Sequence, residues 1–542
     1  MRIAVYVCAG IWMFWFAAFG SAARAEDLHA GHLGKVDFPV SCSAAAQQQF
    51  TQGVLLLHHM TYPQARAAFE RTAQIDPACA MAQWGIAMTL FQPLWPTRPS
   101  AADLQRGLEA TRKASALHPQ KDREGWLIAA ASEFFADPAI TDYWQRIHRW
   151  EAAQRKAYNA LPDDPEVEAF YALAHLAAAP QNSASREYAD EAAAILLKVY
   201  QHNPDHPGAM HYLVHANDVS GREHELLDIT NRYAGLAPDN PHALHMPTHI
   251  YTRLGDWDGV IRGNLRAADA ALRYPAGEHG EYVWDEFAHA IEYLVYAYLQ
   301  QGNDEVAAAQ VRRLQDKPHI EPSFKTAFHM SSTQARYVLE RRAWEEATQL
   351  VSRQPANLDW NRFTWPEATI VFARGLGEAK TNRLERAQAS LQRLQALETA
   401  TQTSGEKLFA RNITVLRLEL SAWLAQAQGR SDVAVSTMRE AADFEAATPK
   451  HPVTPAPTLP ASEQLGDLLR EQKQPAEALQ AYQWSLRLYP RRFNSIGGAA
   501  AAALAMNDQA TARSFFEQLI ELAPESQRDT VRDARGFLAK EK

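Results

Sequence analysis

The sequence predicts an all-α fold: an α-α superhelical solenoid of about a dozen stacked helical hairpins. Three observations predict it. Alanine, leucine and aromatic residues recur at helical spacing almost throughout, with few β-branched runs. A pattern of small residue, large apolar residue and proline returns one 34-residue repeat later near the end of the chain. Prolines and glycines fall where paired helices need to stop and turn.

Taken in order, the chain opens with Arg2, an apolar run from Ile3 to Phe19, and small residues at Ala23 and Ala25 around Arg24. That order predicts a secretory signal peptide over residues 1–25, cleaved after Ala25, and hence a periplasmic or secreted protein. Cys8 lies inside the apolar run, which argues against lipid attachment. Residues 26–43 form an N-terminal arm. A long, degenerate array then covers 44–450. Its first hairpin carries Gly53, Ala65, Phe69 and Pro77 at the repeat positions where two helices touch. Ala192, Leu196 and Pro204 repeat the pattern, and Pro119, Pro165 and Pro238 end other helical stretches. Leu254-Gly255-Asp256-Trp257, Gln301-Gly302-Asn303-Asp304 and Gln426-Ala427-Gln428-Gly429 sit where turns between paired helices belong. The stretch 451–458 is proline-rich and cannot be helical. Regular repeats resume over 459–538, where Ala478, Tyr482 and Pro490 are matched by Ala512, Phe516 and Pro524. After the signal, no segment has the apolar length of a membrane span.

The chain is 47% hydrophobic and 22% charged, with a formal net charge of −9 that signal removal makes more negative. An acidic surface without a Lys/Arg cluster disfavours nucleic-acid binding. Cys42 and Cys79 are the two cysteines outside the signal; in an oxidising compartment such a pair predicts a disulfide. Phosphate-binding, dinucleotide-binding, H-E-x-x-H and nucleophile-elbow motifs are all missing, so the sequence leans away from a known enzyme class.

Several segments are similar to those of large exported bacterial tetratricopeptide-repeat proteins, a family without an assigned role. They are His32-Leu33-Gly34 through Phe38-Pro39-Val40-Ser41-Cys42, Asp76-Pro77-Ala78-Cys79 through Met88, His211-Tyr212-Leu213-Val214-His215, and His242 through Ile250. The resemblance spans residues 32–260 and implies export and the repeat fold. His58-His59-Met60 departs from the aromatic that usually follows the first histidine there.

Histidine is concentrated: eight of the twenty lie between residues 202 and 249. His211 and His215 are four apart, which places them on one helix face, and so are His245 and His249. The two pairs are one 34-residue repeat apart, on neighbouring first helices whose axes pack about 8–10 Å apart. Imidazoles from both can converge. Asp218 falls on the face of the first pair, and His175 holds the same repeat position one unit earlier. Histidines with a carboxylate suit zinc, copper or iron. The alternative is structural: these repeat positions pack between helices, where a neutral histidine bonded to a carbonyl needs no ion. Pro247 within the second pair is expected to kink its helix.

Two functions are therefore expected. The first is a scaffold that holds a protein or peptide partner in its concave groove, through Arg253, His289, Glu292, Tyr296, His329 and Arg336 at early repeat positions. The second is a metal-binding or metal-dependent protein using His211, His215, His245 and His249, with Asp218 and His175 as further ligands.

Overall fold

The computed structural model describes residues 32–540 except 120, 183, 278 and 279. The expected signal peptide and the first residues of the arm lie outside these.

The fold is an all-α solenoid of tetratricopeptide-like helix pairs. Hairpins run from Ala44–His58 with Tyr62–Ile75 to Phe493–Ala505 with Gln509–Leu522, and Asp529–Lys540 closes the series. The template residues act through sterics. A Cβ on Gly53 would stand 2.7 Å from the Phe69 ring, and one on Gly466 would stand 2.7 Å from Tyr482. Only glycine lets the paired helices approach so closely. The expected turns form as read: Gly255 adopts φ +69° after Pro247–Leu254, and Asp256 caps Trp257–Ala271 by accepting from the Gly259 N–H. The described residues hold a single two-stranded ribbon, Pro275–Ala276 antiparallel to Tyr282–Val283. Cys42 and Cys79 are disulfide-bonded, joining the arm to the start of Ala80–Met88. No described helix is long and apolar enough to cross a membrane.

The superhelix closes on itself. Trp257 and Tyr296 from the middle share a core cluster with Phe493, Phe516 and Leu519 from the last repeats. Trp257 Nε1 donates to the Arg491 carbonyl at 3.0 Å. The Arg492 guanidinium, fully buried, bonds Glu340 and Glu463 at 2.9 Å each and Tyr296 Oη at 3.0 Å. Across the other side, Arg98 binds Glu406 through two bonds of 2.8 and 2.9 Å.

The proline-rich break runs without helix between Ser431–Ala446 and Ala461–Glu471. It is packed inside the superhelix, with His451, Val453, Thr454, Ala456 and Leu459 all buried. A proline-rich chain has more carbonyls than N–H groups, so it needs donors from elsewhere. Arg336 supplies them: Nη1 donates to the Pro457 carbonyl at 2.7 Å, and Nη2 to Thr454 Oγ1 at 2.7 Å and to the Ala456 carbonyl.

Candidate metal centre

Three consecutive repeats deliver imidazoles to one buried point. Pro207–Asn217 carries His211 and His215. The next unit is split into Pro241–His245 and Pro247–Leu254, because Pro247 has no N–H to continue the ladder. The first piece carries His242 and His245, and the second carries His249. Glu286–Gln300 carries His289.

The rings form two triads, His211–His215–His242 and His245–His249–His289; within each, the ligand atoms lie within 4.8 Å of one another. The triads are neighbours, with ring centroids 6.3 Å apart both for His215–His249 and for His242–His245. In the first, His211 Nε2 stands 3.2 Å from His215 Nε2 and 3.1 Å from His242 Nε2. In the second, His245 Nε2 stands 2.9 Å from His249 Nε2.

The opposite ring nitrogens decide where the protons are. His211 Nδ1 meets the His58 carbonyl at 2.6 Å, an acceptor that cannot donate. His242 Nδ1 meets Glu286 at 3.0 Å, and His249 Nδ1 meets Asp218 at 2.9 Å. His245 Nδ1 meets Asn264 Oδ1 at 2.6 Å, whose amide nitrogen is already donating to the Val260 carbonyl. His289 Nδ1 meets His329 Nε2 at 3.0 Å, and His329 Nδ1 in turn donates to Glu292. Each of these five ligand rings therefore carries its proton on Nδ1 and turns a bare lone pair inward. Bare lone pairs about 3 Å apart repel unless a proton or cation lies between them. Three nitrogens at the usual 2.0–2.1 Å from a tetrahedral ion would be about 3.3 Å apart, close to the spacing seen.

Burial favours the neutral form of His211, His215, His245, His249 and His289. Burial, then the neighbouring imidazoles, holds His211 and His289 well below the ordinary histidine pKa; burial does the same for His215 and His245. The outer carboxylates stay charged although burial opposes it. Lys450, Arg253 and the His249 bond hold Asp218 well below the usual range; Lys325 and His242 do so for Glu286. Neutral rings backed by ionised acceptors are the arrangement that orients metal ligands and raises their basicity.

The structure thus brings His211, His215, His245 and His249 together as the spacing implied, and adds His242 and His289. Asp218 sits behind His249, as its hydrogen-bond acceptor. His175 lies apart from the cluster: its ring faces Glu151 at 3.2 Å and Glu191 at 3.0 Å and stacks on Tyr188. The groove residues are also placed differently from the expectation. His289, Glu292, Tyr296, His329 and Arg336 are buried, their polar groups engaged internally, and Arg253 bonds Asp218. The groove they were expected to line is occupied by the chain's own 447–460 segment. His242 was legible in principle, three residues before His245 on the same face.

A third cluster, His58–Glu166–His206, is chemically different. His206 Nδ1 accepts from the Ala209 N–H at 3.1 Å, so its Nε2 carries the proton and faces Glu166 at 3.3 Å. His58 Nε2 faces the same carboxylate at 2.9 Å, with Tyr212 Oη 3.1 Å from Nδ1. Of the two histidines, only His58 hydrogen-bonds the carboxylate; Glu166 Oε1 and His206 Nε2 lie 3.3 Å apart without a hydrogen bond.

No family model matches the sequence, and a comparison with curated proteins gives no match. Among solved structures, the human IFIT1 dimer with m7Gppp-AAAA is similar at 13% identity and a TM-score of 0.37, covering 82% of this chain and 90% of that one. The P58(IPK) TPR domain is similar at 14% identity and a TM-score of 0.22, covering 92% and 99%. At such scores the likeness says nothing about what this chain binds.

Proposed function

We propose that this chain is a metal-binding helical-repeat protein that holds two transition-metal ions side by side, one on each histidine triad. The observation that carries the reading is the inward set of Nε2 atoms, five of the six rings being fixed by an acceptor on the outer nitrogen. Ligands that are all imidazole suit copper, zinc, iron or nickel and disfavour magnesium, calcium and manganese. Three protein ligands per ion leave a coordination position open, whereas structural zinc sites are closed by four. That favours a centre that binds and activates a small molecule over a purely structural staple. The Cys42–Cys79 bridge and the apolar start of the sequence support an exported setting.

The test is elemental analysis of protein purified without chelator, beside a His211→Ala/His249→Ala double variant. Close to two equivalents of one transition metal, lost in a variant that keeps its helical spectrum, is the expected result. Absence of bound metal, with no uptake of copper, zinc, iron or nickel on reconstitution, would return the triads to core packing.

A further inference from the structure

Beside the centre lies a cavity of about 440 Å³, within the range of small-molecule sites. Its lining includes His215 and the Asp218–Arg253–Lys450 ion cluster, the apolar side chains Trp144, Phe328, Trp365 and Leu416, and Glu419. The proline-rich segment covers it, through Lys450, His451 and Pro452 among others.

Three features specify an occupant. First, His215 belongs to the first triad through Nε2 and also lines the cavity, so one ring borders both. Its Nδ1 is buried and, alone among the six triad rings, has no partner among the described residues. Glu419 Oε2, on a fully buried side chain, is likewise unpartnered.

Second, the charges around the triads already balance before any ion enters. Asp218 is matched by Arg253 and Lys450, Glu292 by Arg336, and Glu286 with Asp285 by Lys325. An imidazole protonated on Nδ1 alone adds no charge. Two bound metal ions would therefore leave several uncompensated positive charges in a buried site, and anionic ligands are what such a site attracts. Lys450 and Arg253 line the cavity together with His215. Arg253 spends Nε and Nη2 on Asp218.

Third, the lining includes Trp144, Phe328 and Trp365, the last two with ring centroids 4.6 Å apart, and such rings take flat apolar groups.

Building on the metal reading above, we infer that this cavity binds a small ring-bearing oxyanion, an arenecarboxylate or phenolate, with its charged oxygen at the His215–Lys450–Arg253 end and its ring against Trp144, Phe328 and Trp365. The oxygen accepts from His215 Nδ1, the ring nitrogen left without a partner, and offsets the charge a loaded centre would carry. The ring excludes water from it.

The test uses full-length, metal-loaded protein, with metal content measured on the same samples. Benzoate, benzyl alcohol and acetate are titrated calorimetrically. Benzoate should bind at least tenfold more tightly than either the neutral ring or the ringless anion. Lys450→Met should weaken benzoate about tenfold while metal content stays the same. Leu416→Trp, which fills the cavity, should abolish binding; if that variant does not fold, Leu416→Phe should weaken it in proportion. Equal affinity for benzoate and benzyl alcohol, or benzoate binding indifferent to both positions, would overturn the assignment while measured metal left the centre standing. Protein that takes up no metal would remove the centre and this inference together.

Discussion

Asn264→Leu tests the proton arrangement at one atom. Asn264 is buried, with its Oδ1 2.6 Å from His245 Nδ1 and its amide spent on the Val260 carbonyl. Leucine keeps the size of the side chain and removes the acceptor. His245 then either leaves a buried N–H unsatisfied, at a cost of about 1–3 kcal/mol, or moves its proton to Nε2 and ceases to be a ligand. Loss of such an outer partner weakens metal binding by about 10–100-fold, which is about 1.4–2.7 kcal/mol. The loss belongs to the His245–His249–His289 triad alone, because His211 and His242 are oriented by His58 and Glu286. Competition against a chromophoric chelator should therefore show one ion retained at wild-type affinity and one weakened. Asn264→Asp, which keeps an acceptor, should retain both. Equal weakening of both ions in Asn264→Leu, or no weakening of either, would refute the assignment of protons to Nδ1.

Other expectations follow from the same contacts. Arg336→Met removes the donors that hold the proline-rich segment and leaves Glu292 without its cation; a buried pair broken this way costs about 3–5 kcal/mol. Urea unfolding should show that loss, and limited proteolysis should gain a cut within 447–460. His451 is held down to about 3, by burial first and then by the Arg98 and Lys450 charges, against an ordinary value of 6.5. The unfolded chain thus binds the extra proton below 6.5, so this stabilisation is complete above that pH and is lost as pH falls towards 3. Between about pH 7.5 and 4.5, wild type should lose about 2.7 kcal/mol more stability than His451→Asn, which keeps an acceptor for the Val453 N–H. A Cys42→Ala/Cys79→Ala variant opens a loop with a sequence separation of 37 and should be about 4 kcal/mol less stable. A stability unchanged by reducing agent in wild type would contradict that figure.

The fold was legible because the repeat template encodes sterics directly. Gly53 against Phe69 and Gly466 against Tyr482 are contacts that few other residues permit, and they surface in sequence as a small residue at a fixed distance from an aromatic. The paired histidines were legible for a similar reason, since spacings of four and 34 translate into one face and one stack. Spacing does not say which nitrogen of a ring carries the proton. That is why Asp218, read as a ligand, is found accepting a bond from His249 instead. His289 was assigned to an open groove because its place in the repeat usually faces one. Nothing local to residues 286–336 announces that a proline-rich stretch more than a hundred residues later will fill that space. His175 shows the same limit in reverse, for an equivalent repeat position does not survive the insertion that moves it towards Glu151 and Glu191.

The closure of the superhelix alters how such a chain comes apart. In an open repeat array each unit touches only its neighbours, so ends fray, truncations shorten the rod, and unfolding spreads along a line. Here Arg492 links Glu340 to Glu463, Arg528 reaches Asp304, and Arg98 reaches Glu406. Contacts that distant in sequence make folding slower and more all-or-none than a linear array allows. The last repeats thus behave as a keystone: until they dock, the interior that holds the imidazoles has no far wall. On the proposed reading, metal capture would wait for completion of the whole chain, and a truncated product would offer only a half-built site.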